Sequence, residues 1–114
     1  MKILNFWIQE PYKTFLIEWK KKIEWRLNKW KFKEIHIWDV LILNTWEKFE
    51  IIWKWIYKDF KEMLKIEGFK NIIPDKDSIE EAENIYYKFY TKEQEQEFWV
   101  VAIEIRMVTM NKKN

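Results

Sequence analysis

The chain has 114 residues, with 21 lysines and arginines, 19 aspartates and glutamates, one histidine and no cysteine. That length suits one domain, the missing cysteines exclude a disulfide framework and a thiolate zinc site, and a net charge of +2 does not by itself announce a nucleic-acid partner. No apolar run approaches the roughly 18 residues that cross a bilayer and no signal-peptide layout opens the chain, so the expectation is a cytoplasmic domain with no membrane partner.

Residues 1–9 read as a first strand, followed by a helix from about Pro11 to Glu18, with Tyr12, Phe15, Leu16 and Trp19 at helical spacing. After Lys20-Lys21-Lys22 the period changes to two. Ile23, Trp25 and Leu27 alternate with Glu24, Arg26 and Asn28, a strand with one polar face that also carries Lys22, while Lys21 sits in the turn. Residues 29–37 read as a basic loop or irregular strand. Asp39–Asn44 and Phe49–Tyr57 are strands joined by the turn Asn44-Thr45-Trp46-Glu47. A helix over Phe60–Ile66 is stopped by Gly68, and Ser78 with Glu81 three residues on forms a capping box for a helix carrying Ile79, Ala82, Ile85 and Phe89. Phe98–Met107 closes the chain as a strand. The order β-α-β-β-β-α-α-β describes an α+β domain over residues 1–110, its strands curled into a small barrel, followed by a polar tail, Asn111–Asn114.

Nine tryptophans against one glycine is the odd ratio, because average usage of about 7% would give roughly eight glycines. Several tryptophans fall where the backbone asks for glycine. Trp19 follows the last turn of the first helix, Trp46 is third in a strand-to-strand connection, and Trp38 stands at a strand entry. Left-handed backbone is common at such places, and a bulky aromatic is an outlier there. Trp25 and Trp99 lie inside predicted strands, where an indole can serve as core. Trp7, Trp30, Trp53 and Trp55 fit either reading, and aromatics beside Lys and Arg also resemble a single-strand nucleic-acid platform.

The run Trp19-Lys-Lys-Lys-Ile-Glu-Trp-Arg-Leu27 resembles the signature of the ASCH domain, a PUA-like fold, in which Gly, a basic residue and Lys are followed by Glu or Thr and then Arg two places later. Trp38-Asp39 into Leu43, Phe60-Lys-Glu-Met-Leu-Lys-Ile-Glu-Gly68, Ser78-Ile-Glu-Glu-Ala82 through Tyr86 and Tyr90, and Phe98-Trp-Val-Val-Ala-Ile-Glu-Ile105 resemble further family segments in the same order. The resemblance spans nearly the whole chain and is strongest to small stand-alone prokaryotic ASCH proteins. It implies a barrel of five to six strands, one N-terminal helix and two helices before the last strand. It also implies glycine at the positions of Trp7, Trp19, Trp25, Trp38, Trp46, Trp53 and Trp99, while Trp30 and Trp55 have no assigned counterpart. A gene that uses UGA for glycine, translated with a table that reads UGA as tryptophan, accounts for all these departures at one stroke.

Two functions follow from the resemblance. The first is binding of RNA or a nucleotide through Lys20, Lys21, Lys22, Glu24 and Arg26. Local composition agrees: from Lys20 to Lys33 there are seven Lys or Arg against one acid, Glu24, a better electrostatic signal than the net charge. The second is an amidohydrolase that removes the acetyl group from N4-acetylcytidine. There Lys21 is the implied catalytic lysine, Glu24 stands where that branch has Thr, and Glu67 matches the distant acid. Glu24 with Lys21 could work as an acid–base pair if burial moves their pKa values toward neutrality. His36 stands alone and cannot build a metal site, no Gly-rich phosphate loop is present, and no cofactor is implied.

Overall fold

A computed structural model describes residues 1–8, 10–43 and 46–108. Its elements are β1 (Ile3–Phe6), α1 (Tyr12–Ile17), β2 (Ile23–Leu27), α2 (Trp30–Glu34), β3 (Val40–Leu43), β4 (Lys48–Tyr57), α3 (Phe60–Glu67), a 3-10 turn (Phe69–Asn71), α4 (Ile79–Tyr86), α5 (Lys92–Phe98) and β5 (Val100–Met107). The polar tail and the turn residues Asn44 and Thr45 lie outside the described residues.

The expected α+β class holds. Five strands form one sheet in the order β1-β3-β4-β5-β2, with β1 parallel to β3 and the other neighbours antiparallel. The sheet is barrel-like but open, with β1 and β2 as its edges. Central position explains the apolar run of β5: Val100 and Ala102 pack into one cluster with α3 and α4, while Val101, Ile103 and Ile105 pack into the other with Leu16 of α1.

Three elements differ from the sequence expectation. Residues 30–34 form α2, a helix with no buried residue, rather than a basic loop or irregular strand. A further helix, α5, precedes the last strand, so three helices stand there and not two. The helix from Ser78 ends at Tyr86, which leaves Phe89 beyond it and exposed. Ser78 does cap that helix by accepting from Glu81 N at 3.1 Å, but the Glu81 carboxylate turns to Asp77 N instead of closing the box. The reciprocal box belongs to Thr91 and Gln94 of α5.

Six described residues have left-handed φ: Gly68 at 83°, Trp19 at 68°, Trp30 at 54°, Trp38 at 77°, Trp46 at 78° and Trp99 at 64°. Trp19 sits in a Schellman motif, where its N–H donates to Leu16 O at 3.2 Å and Lys20 N to Phe15 O at 2.9 Å. Trp38 is third in the turn His36–Asp39, closed by Asp39 N to His36 O at 3.0 Å, the position where a type II turn requires positive φ. Trp99, expected inside the last strand, joins α5 to β5 at φ 64°, ψ −173°, a region that is essentially glycine-only. Trp7, Trp25, Trp53 and Trp55 do not share this conformation.

Candidate nucleotide-binding site

The site lies where the sheet fails to close. Arg26 of β2 spans the seam, donating to Trp7 O just past β1 at 3.0 Å, and Lys31 of α2 donates to Asn5 O at 2.5 Å. Cations thus cap the carbonyls of an edge strand, a usual way of protecting such an edge.

On the polar face expected for β2, Glu24 is buried and Arg26 half-buried. Glu24 is 2% exposed and Lys21 likewise 2%. Lys21, expected in the turn, points inward, and Lys22, expected on the polar face, is exposed. The Lys21 ammonium donates to Ile23 O at 2.5 Å and Ile72 O at 2.7 Å and lies 3.4 Å from Glu24 Oε1. Its three donors are therefore all placed. Glu24 Oε2 accepts from the Arg26 guanidinium, which also donates to Trp25 O at 3.1 Å and lies over the Phe6 and Phe32 rings. The row Lys21–Glu24–Arg26 is one carboxylate shared by two cations, pinned at the Lys21 end and partly open at the Arg26 end. Burial pushes Lys21 down from 10.5 to about 8, with Glu24 opposing.

In front of this row is a cavity of about 240 Å³ lined by Trp7, Ile8, Tyr12, Glu24, Trp25, Arg26, Phe89 and Tyr90. Burial raises the Tyr90 pKa, with Arg26 opposing and Glu24 reinforcing the shift. The Tyr86 hydroxyl is buried without a hydrogen-bond partner, and burial followed by the Glu24 charge holds its pKa well above 10.0.

Among the residues singled out from sequence, the fold joins Lys21, Glu24 and Arg26. Lys20 and Lys22 are exposed, with Lys20 paired to Glu18 at 3.3 Å. Glu67 accepts from the Tyr57 hydroxyl instead, away from the charged row. The sequence reading missed the aromatic wall of Tyr12, Phe89 and Tyr90. Phe89 and Tyr90 lie past the end of α4, so helical spacing did not mark them as a wall.

Among the described residues no cluster of three or more His, Asp or Glu could hold a metal ion, and no helix is long and apolar enough to cross a membrane. No protein-family model matches the chain, and no curated protein does. Two solved structures are similar over nearly the full length. The crystal structure of hypothetical protein PH0355 is 38% identical with a TM-score of 0.89, covering 95% of this chain and 100% of that one. The solution NMR structure of protein PF0455 from Pyrococcus furiosus is 35% identical with a TM-score of 0.82, covering 96% and 100%. At this identity and coverage, the chain belongs to the same protein family as PH0355 and PF0455.

Proposed function

We propose that the chain is an ASCH-type domain that binds RNA or a nucleotide in the seam between β1 and β2. The observation that carries this reading is the cavity that sets Glu24 and Arg26 against the rings of Tyr12, Phe89 and Tyr90. Unpaired bases are recognised by stacking on planar side chains and by hydrogen bonds to their edges. Exposed Lys20 and Lys22 at one end of β2, with Lys29 and Lys31 beyond the other, supply charge for phosphates. Lys21 is too buried for that role and holds Glu24 in place. The test is a labelled single-stranded RNA titration at several salt concentrations, in which affinity falls as salt rises; salt-independent or absent binding rejects the proposal.

The amidohydrolase reading draws support from the Lys21–Glu24 contact and from a Lys21 pKa near 8. It asks Lys21 to reach a substrate, whereas the three donors of Lys21 are committed to protein oxygens, so binding is the reading we carry. Hydrolysis of N4-acetylcytidine that disappears in Lys21→Ala would reverse this order.

The tryptophans join the same proposal as glycine positions written by UGA codons. Five left-handed backbones support it, including Trp30, for which the resemblance offers no counterpart. Mass spectrometry of the protein purified from its native cells reads these residues directly; intact tryptophan at positions 19, 25 and 99 rejects it.

A further inference from the structure

Trp25 differs from the other eight tryptophans. They are between 49% and 82% exposed, whereas Trp25 is 9% exposed and keeps ordinary strand backbone. Its ring stands edge-on to Tyr86 at 4.1 Å, Phe60 at 5.8 Å and Tyr90 at 5.8 Å between centroids, with Phe89 tilted at 6.2 Å. This is an aromatic box filled by one planar bicycle, and Trp25 itself lines the cavity beside Glu24 and Arg26.

The backbone at this position faces the same opening. Ile105 N donates to Lys22 O, so residues 22, 24 and 26 are the hydrogen-bonded partners of β5 and Trp25 is paired with Ala102 across the non-hydrogen-bonded register. The Trp25 N–H and C=O therefore point out from β5 toward the open edge, where the C=O accepts from Arg26. The Tyr86 ring is part of the box, and its hydroxyl is buried without a hydrogen-bond partner. A glycine inside a strand often marks close approach of a ligand, and position 25 has the surroundings for one.

We infer that the box around Trp25 is a slot for a nucleobase and that the indole of Trp25 occupies it as a plug, so that only a chain with a small residue at 25 admits the ligand ring. An indole has the outline of a purine, which sets the size of the guest. The Tyr86 hydroxyl and the position-25 N–H supply polar contacts to the ring, and Glu24 and Arg26 line the cavity beside it. The base could belong to a free nucleoside or be extruded from an RNA strand. The inference rests on the nucleotide-binding reading and specifies where its base goes.

The test is Trp25→Gly, titrated with indole, adenosine, cytidine and single-stranded RNA, with melting temperature and equilibrium dialysis as readouts. Aromatic guests fill cavities left by truncation in apolar cores, and a guest that binds only the folded state raises its melting point. Indole and a nucleoside should raise the melting temperature of Trp25→Gly and bind it at least about tenfold more tightly than the unsubstituted chain. Trp25→Leu, which refills part of the box, should bind neither. A folded Trp25→Gly that ignores both guests overturns the slot. Should Trp25→Gly be unfolded, Trp25→Ala takes its place. If both are unfolded, recovery of the native circular dichroism on adding indole supports the slot, and no recovery overturns it. Salt-dependent RNA binding without nucleoside uptake by Trp25→Gly removes the slot and leaves the RNA reading. Nucleoside uptake without RNA binding by either chain does the reverse.

Discussion

A left-handed φ on a residue with a Cβ costs roughly 1–2 kcal/mol, and five tryptophans carry it. All five rings are exposed, so little apolar burial offsets the strain. Trp38→Gly and Trp46→Gly should each stabilise the protein by about 1 kcal/mol, seen as a higher urea midpoint at unchanged m-value; a loss at both sites contradicts the strain account. Trp25→Gly without ligand should instead cost about 3–5 kcal/mol, as truncation of a buried aromatic does. The buried charges respond differently. Glu24→Gln leaves Lys21 and Arg26 without their shared carboxylate and should cost about 3–5 kcal/mol, measured by urea unfolding at neutral pH. The folded protein releases the Lys21 proton near pH 8, whereas the unfolded chain holds it until about 10.4. Between those values the unfolded state binds more protons, so stability gains from rising pH. The stability of the unsubstituted protein relative to Lys21→Met should therefore climb by about 2 kcal/mol from pH 8 to pH 10, and a flat difference contradicts the buried placement. Alternation along 23–28 gave the strand legibly. It did not show that the polar side is buried, because burial of Glu24 depends on Lys21 and Arg26 folding back onto it.

Elements with a periodic apolar face or a glycine stop were legible: α1, β2, β3, β4, α3 and the start of α4. The two missed helices lack an apolar stripe. Trp30–Glu34 has no fully buried residue, only half-buried Phe32 against the core, and in Lys92–Phe98 the buried residue is Glu95. That carboxylate holds α5 in place by accepting from Phe60 N at 2.7 Å and from the Tyr87 hydroxyl at 2.8 Å. Its partners are brought to it by tertiary packing, and a window of sequence cannot display them. Glu95→Ala leaves the buried Phe60 N–H unpaired and the Tyr87 hydroxyl with only Glu83 at 3.4 Å, and should cost more than about 2 kcal/mol, whereas Thr91→Ala, which removes only the cap of α5, should cost about 1 kcal/mol. Thermal unfolding of the pair ranks them, and equal effects would contradict an anchoring role for Glu95.

At the scale of the whole molecule, the class, the strand count and the final strand were readable from pattern and resemblance. The open seam was not, because it arises from pairing between distant segments: β5 lies between β4 and β2, while β1 pairs with β3 alone. The seam brings Arg26 to Trp7 O and creates the cavity. Lys20 and Lys22 are exposed before β2 and Lys31 after it, while behind Arg26 the Glu24 carboxylate is shared with Lys21. The central claim is that RNA or a nucleotide binds at the seam, its phosphates met by the exposed lysines. The most direct test is the slope of log affinity against log salt for single-stranded RNA, measured on the unsubstituted protein and on Lys20→Ala/Lys22→Ala. Each phosphate contact on a single strand contributes about 0.7 to that slope, so the double variant should bind more weakly with a slope shallower by about 1.4. An unchanged slope, or no RNA binding at low salt, would contradict the account.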